Sequence, residues 1–423
     1  MIRADLVLTG LAEVATLAAG PVPRVGVAAG ELGRIERGAV AVSGGRIVWV
    51  GPERRLRRAV LRRAGAREVD GAGGTLVPGL VDAHTHVLFA GDRAFELPLK
   101  ARGLDYAGIA RRGGGILATV RATRRATADA LVDQTSKRIA GMAAAGTTAV
   151  EVKSGYALSA RGEVALLRLV PALARRTGVR LVPTFLGAHA VPPEARGEAA
   201  RYVDTLVRDA LPRVAREGLA RFVDVFCEPG YFSVPEAERL LRAALALGLG
   251  VKVHAEEFVR SGGARLAARL RATSADHLLR ATPGDYRALA AAGVTAVLLP
   301  VTAFASAPAR RSPGRELVDA GVPVALGSDA SPNTWSESLP LAMALAVHGG
   351  RLTPAEALTA ATVNAAHASG LADAGTIEVG RPADLALFPV PSADHLGYRF
   401  DVRPTVVCRQ GTVVFPRRLR QQV

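Results

Sequence analysis

From about residue 80 to residue 369 the chain alternates short apolar runs with longer amphipathic stretches. The runs, each of strand length, are 80–86, 147–153, 180–186, 222–227, 250–254, 274–278, 295–299 and 323–327. Between them lie segments rich in Ala, Leu and Arg with helical spacing, such as 235–247 and 286–292. Continuous apolar runs describe strands buried on both faces, as parallel sheets require. Eight of them, each followed by helix-like sequence, is the count of a (β/α)8 TIM-type barrel. An open doubly wound sheet would also alternate, but no GxGxxG opens a helix after the first run.

The two ends of the chain have a different texture. Residues 4–9, 39–42 and 46–50 read as strands, the last two joined by the turn Ser43-Gly-Gly45. Past residue 370, strands are predicted at 375–379, 384–388, 405–408 and 412–415. The expected fold class is therefore α/β, a barrel over 76–370 with a small β-sandwich domain built from both termini, 1–75 and 371–423.

Composition narrows the picture in three ways. The formal charge is +16, and only Lys100, Lys137, Lys153 and Lys252 among the 54 basic residues are lysines. The arginines are scattered through helical segments and do not form a stripe interleaved with aromatics, so the expectation is an anionic small-molecule partner and no nucleic acid. Two cysteines, Cys227 and Cys408, outside any CxxC, give neither a disulfide framework nor a thiolate metal site, and suit a cytoplasmic protein. The apolar run 4–20 is broken by Glu13, and its start, 4–10, is read as a strand and not a signal peptide; no stretch of about 18 apolar residues predicts a membrane span.

The histidines carry the chemistry. His84 and His86 fall at the end of the first barrel strand, where residues two apart point to one face, at the C-terminal mouth that barrel enzymes use as their site. His254, His277 and Asp329 end the fifth, sixth and eighth strands at the same mouth. Burying five such groups unpaired is costly, whereas a metal ion explains them together. His84, His86, His254 and Asp329 can hold the ion and leave a position for water. Asp329 can also take the water's proton, and His277 can orient the water or stabilise the oxyanion. Glu256 and Glu257 are both candidates for the acid that protonates the leaving nitrogen, and strand parity places Glu256 on the face of His254. The third and fourth strands end in Gly187-Ala-His189 and Cys227-Glu228, with no lysine to bridge a second ion, and Lys153 is read as structural. One metal is expected.

These residues sit in motifs that carry a resemblance. Pro78-Gly-Leu-Val-Asp-Ala-His-Thr-His86, the later histidines and Gly327-Ser-Asp329 resemble the amidohydrolase superfamily. Six ordered segments are similar to its imidazolonepropionase family. They are His84-Thr-His-Val-Leu-Phe-Ala-Gly-Asp-Arg93; Tyr106 with Ile109-Ala-Arg-Arg-Gly-Gly-Gly-Ile116; Glu151-Val-Lys-Ser-Gly-Tyr156; Thr184-Phe-Leu-Gly-Ala-His189; Asp224-Val-Phe-Cys-Glu228; and His254-Ala-Glu-Glu-Phe258. The resemblance implies hydrolysis of the ring C–N bond of 4-imidazolone-5-propanoate to N-formimidoyl-L-glutamate, in histidine degradation. It implies one Zn2+ or Fe3+ per subunit on His84, His86, His254 and Asp329, and a homodimer. Arg93, Tyr106, Tyr156 and His189 would bind substrate, and Glu257 rather than Glu256 would be the catalytic glutamate beside His277 and Asp329. The pattern departs at Asp329-Ala-Ser331-Pro-Asn333-Thr334, where Ser331 replaces an amide of the family. Ser331, Asn333 and Thr334 remain the expected substrate contacts of that segment. The alternative is an amidohydrolase acting on a related cyclic amide or formimidoyl substrate.

Overall fold

The computed structural model describes residues 1–104, 108–109, 112–306 and 311–415. Tyr106 lies outside the described residues. Eight parallel strands run in sequence order around one sheet: β8 (Leu80–Asp82), β9 (Thr147–Lys153), β10 (Arg180–Ala188), β11 (Phe222–Cys227), β12 (Gly250–Ala255), β13 (Ser274–His277), β14 (Thr295–Leu298) and β15 (Val324–Leu326). Nearly every residue in these strands is buried, which accounts for their unbroken apolar sequence.

Helices cover the barrel with their apolar faces. The largest core cluster joins strand residues such as Val223, Val253 and Ala296 to Leu240, Leu266 and Leu289 on helices α3 (Val234–Ala246), α4 (Gly263–Leu270) and α5 (Pro283–Ala292). Helix starts follow local chemistry. Thr127 caps α1 (Ala128–Ala144) by accepting the Ala130 N–H, and Glu236 in α3 accepts the Ser233 N–H at 2.7 Å. A further helix, α2 (Ala160–Leu167), follows β9. Among the described residues no helix is long and apolar enough to cross a membrane.

The termini form two further sheets. One has four strands in the order β5 (Arg46–Pro52), β4 (Gly38–Ser43), β1 (Ile2–Thr9), β6 (Val60–Asp70). The other mixes both ends of the chain, in the order β18 (Thr412–Phe415), β17 (Val406–Arg409), β16 (Leu385–Phe388), β7 (Thr75–Pro78), β2 (Glu13–Ala15), β3 (Arg34–Glu36). The barrel is thus joined by sheets built from the termini, as expected. The strand expected at 375–379 does not form. That segment is held by isolated bonds, Ile377 N–H to Thr16 O at 2.7 Å and Gly380 N–H to Ile47 O at 2.8 Å, and joins no ladder. Conversely, Thr75–Pro78, outside the strands expected from the sequence, pairs with β16 over four residues.

Candidate active site

Strand β8 leaves its ladder at Asp82, four residues earlier than the sequence suggests, yet the chain stays extended through His86. Both neighbours hold it. Lys153 N–H donates to Thr85 O at 3.2 Å on one side, and on the other Asp329 N–H donates to His84 O at 3.1 Å and His86 N–H to Ala330 O at 2.9 Å. The two-residue alternation therefore continues, and both imidazoles turn inward. The bonds to Asp329 and Ala330, with Ala83 N–H to Leu326 O at 3.4 Å, close the barrel between β8 and β15. Closure is tight at Gly327, where a Cβ would sit 2.8 Å from His84 Cβ and 3.0 Å from His84 N. Gly327→Ala is expected to cost about 1–3 kcal/mol through overpacking and to displace His84, read as a lower melting temperature together with a lower metal content.

Three strand ends carry left-handed residues: Glu256 (φ 52°), His277 (φ 73°) and Asp329 (φ 52°). Non-glycine residues with positive φ are uncommon and cluster at functional sites. Here they redirect side chains. At Glu256 the turn ends the strand alternation, so its carboxylate swings away and accepts the N–H groups of Gly262 and Ala264, each at 2.7 Å, at the start of α4. Parity had placed Glu256 on the face of His254. The structure instead puts Glu257 on the cavity wall, its Oε2 3.6 Å from His277 Nε2.

His84 Nε2 lies 3.1 Å from His86 Nε2, and His254 Nε2 lies 3.2 Å from the same atom. Asp276 Oδ2 accepts the Nδ1–H of His84 at 2.6 Å, which leaves the Nε2 of His84 as a lone pair. Asp224 Oδ2 stands 3.0 Å from His254 Nδ1, close in charge though off line for a hydrogen bond, and favours the same tautomer. A proton on His86 Nε2 satisfies only one of the two lone pairs it faces. A shared cation satisfies all three, and ligand nitrogens on a tetrahedral zinc would be roughly 3.3 Å apart, from Zn–N bonds of about 2.0–2.1 Å. Asp329 Oδ1 completes the group, 3.8 Å from His84 Nε2 and 3.6 Å from His86 Nε2. His84, His86 and Asp329 bring one ligand atom each within 4.8 Å of one another, a set that fits a metal ion, and His254 meets it through His86. His277 stands at its edge, since one nitrogen each from His84, His254 and His277 also fall within 4.8 Å of one another.

Electrostatics agree with that chemistry. Burial holds His84, His86 and His277 well below the usual imidazole range and His189 at about 3, so the rings are neutral, the form that ligates metal. Burial also lifts Asp329 to about 6, against the pull of the Thr302 hydroxyl on its Oδ2 at 2.6 Å. Burial, then the negative charges of Asp329 and Glu228, drive Glu257 well above the carboxylate range.

The cleft above these groups, about 570 Å3 and open to solvent, is lined by Arg93, Tyr156, His189, Ser331 and Asn333 as well as His86, His254, Glu257, His277 and Asp329. Arg93 is fixed at the wall by Glu96, which accepts from Nε and Nη2 at 2.8 Å each and also takes the Gly115 N–H at 2.7 Å. His189 stacks on His86 with ring centres 4.7 Å apart, and its Nδ1 meets Gly155 O at 3.0 Å. Gly155 (φ 115°) has no room for a Cβ, which would approach His189 Nδ1 to 2.9 Å. Asn333 Oδ1 accepts from Lys100 Nζ at 3.1 Å. Thr334 is not on the cavity wall; it closes a turn, Ser331 N–H to Thr334 O and Thr334 N–H to Ser331 Oγ, both 3.1 Å.

Several supporting residues were not foreseen. Asp224 and Asp276 orient two histidines, Glu96 orients Arg93, and Thr302 orients Asp329. Glu228 fixes Glu257 by accepting its N–H at 2.6 Å and that of Phe258 at 3.2 Å. A carboxylate inside an otherwise apolar strand, as at Asp224, is the one such signal the sequence offered.

Residues 75–414 match the amidohydrolase family, and residues 38–59 match a bacterial imidazolonepropionase-like composite domain. The fold is shared with an adenosine deaminase from Xanthomonas campestris with bound zinc (TM-score 0.69, 23% identity, 97% of this chain and 93% of that one). It is shared equally with the zinc-complexed atrazine chlorohydrolase of Arthrobacter aurescens TC1 (TM-score 0.69, 19% identity, 96% and 94%). Fold, family match and the His/Asp cluster define a metal-dependent hydrolase of the amidohydrolase class. The imidazolonepropionase of Symbiobacterium thermophilum is 48% identical over 397 residues, covering 93% of both chains. Those of Geobacillus kaustophilus (45%, 91% of both chains) and Halobacterium salinarum (46%, 89% of this chain and 91% of that one) are similarly related. The chain belongs to the imidazolonepropionase family.

Proposed function

We propose that this enzyme hydrolyses the ring C–N bond of 4-imidazolone-5-propanoate to N-formimidoyl-L-glutamate, with one Zn2+ or Fe3+ held by His84, His86, His254 and Asp329. The observation that carries the residue roles is that Arg93, Tyr156 and His189 line the same cleft as Glu257, His277 and Asp329. When bound, the ion lowers the pKa of a coordinated water so that a nucleophile is available near neutrality. Arg93 pairs with the propanoate, its guanidinium plane set by Glu96. Tyr156 and His189 hydrogen-bond the polar ring. Asp329 accepts the water's proton, while Thr302 holds its other oxygen. His277 donates to the oxyanion as the carbonyl carbon becomes tetrahedral. Glu257, whose pKa is raised by burial and by the neighbouring carboxylates, delivers a proton to the leaving ring nitrogen. Ser331 offers a hydroxyl where the family has an amide, a shorter reach to the same substrate edge.

The buried free thiols Cys227 and Cys408 support a cytoplasmic location, and the homodimer implied by the family is read by size-exclusion chromatography. Arg93→Met is expected to raise KM roughly 10–100-fold, the loss of a charge-assisted hydrogen bond worth about 1.5–3 kcal/mol, with kcat nearly unchanged. An analogue lacking the carboxylate should lose the same factor on the parent enzyme and little on the variant. Equal losses on both would remove Arg93 from the substrate.

A further inference from the structure

Beneath the histidines the barrel interior holds a layer of five charged side chains: Glu151 and Lys153 on β9, Asp224 on β11, Lys252 on β12 and Asp276 on β13. All are fully buried. Barrel interiors at this depth are ordinarily filled by branched apolar residues. Buried ion pairs replaced by well-packed hydrophobic residues often leave stability unchanged or higher, so stability alone does not account for the layer.

Its connections point upward. Lys153 Nζ lies 2.7 Å from Asp224 Oδ2, 2.8 Å from Glu151 Oε2 and 3.9 Å from Asp276 Oδ2. The two aspartate oxygens it meets are the ones that face His254 Nδ1, at 3.0 Å, and His84 Nδ1, at 2.6 Å. One ammonium therefore stands behind both carboxylates that orient metal-binding rings, on strands that are not adjacent to β9 in the sheet. The remaining oxygens are pinned separately: Asp224 Oδ1 by the Val225 N–H at 2.7 Å and Asp276 Oδ1 by the Ser274 hydroxyl at 2.6 Å. Lys252 supports the same assembly from the other side, pairing with Glu151 Oε1 at 2.7 Å and donating to Ala83 O at 3.3 Å, the backbone just before His84.

We propose that Lys153 is a positioning residue for the metal centre, locking Asp224 and Asp276 so that His254 and His84 present their Nε2 atoms to one ion. The inference rests on the assignment of those two histidines as ligands. Three carboxylates against two ammonium groups also leave one excess negative charge beneath the site, matched to a cation above it.

The test is metal release, not turnover. Zinc-loaded parent enzyme and Lys153→Met are mixed with excess chromogenic chelator under native conditions, with far-ultraviolet circular dichroism as the check on folding. Loss of support behind the ligands should speed zinc release about 10–100-fold, the usual effect of removing an outer-shell partner. A folded variant that releases zinc at the parent rate overturns the proposal, even if its melting temperature has dropped, because a purely structural lysine predicts that pattern. Lys153→Met/Glu151→Gln removes one cation and one anion, keeping the layer's net charge. It is read in the same way should the single variant not fold, and parent-like release from it again overturns the proposal. A parent enzyme that takes up no zinc or iron would strike the ligand assignment itself, a result distinct from either.

Discussion

Purified His84→Ala is expected to fold, to contain no bound metal, and to lose activity by at least on the order of 10^4-fold, since about nine pKa units separate metal-bound from bulk water. His84 is the hinge of the donor set. His84 belongs to both groups of side chains that could hold an ion, and its Nδ1 is tied to the buried Asp276. Its backbone is also part of the barrel closure, but that part survives truncation: the Asp329 N–H bonds to the main-chain oxygen of residue 84. The variant therefore separates metal binding from folding. Metal analysis and circular dichroism are measured on the same sample; a folded variant with parent-like metal content would contradict the ligand assignment.

The second large effect is expected at Glu257. Glu257→Gln keeps the shape and the N–H bond to Glu228 but has no proton to give, so kcat should fall about 10^2- to 10^4-fold with metal content unchanged. The pH dependence has a definite sign. Burial and the neighbouring carboxylates raise the pKa of Glu257 well above its ordinary value, so the acid form persists toward neutrality. Activity that depends on this acid is present below the raised pKa and is lost as pH rises through it. The parent enzyme should show that alkaline limb in kcat, and the glutamine variant should lack it. A variant that retains both the limb and near-normal kcat would assign the proton to another group.

The sequence carried the candidate metal ligands further than it carried their supports. His84 and His86 were legible because two-residue alternation holds wherever the backbone stays extended, and bonds to Thr85, His84 and His86 keep it extended beyond the ladder. Parity misled at Glu256 because a left-handed residue ends the alternation there, something no side-chain pattern announces. His277 shows the same effect from the other side. Asp276 already points inward to His84, and only the positive φ of His277 lets the next residue reach the cleft as well. The segment 375–379 looks strand-like in composition, but a strand needs a partner edge, and only isolated bonds to Thr16 and Ile47 are available. Lys153 was legible as structural but not as the common partner of Asp224 and Asp276. That contact joins strands far apart in sequence, across the barrel interior, and depends on curvature that is set only when the sheet closes.

The most direct measurement follows the ultraviolet absorbance of the imidazolone chromophore when zinc- or iron-loaded enzyme is mixed with 4-imidazolone-5-propanoate. The account predicts catalytic loss of that absorbance with N-formimidoyl-L-glutamate as the product, abolished by metal removal and restored on reloading. Metal-loaded, folded enzyme that leaves the absorbance unchanged while hydrolysing another cyclic amide would contradict it.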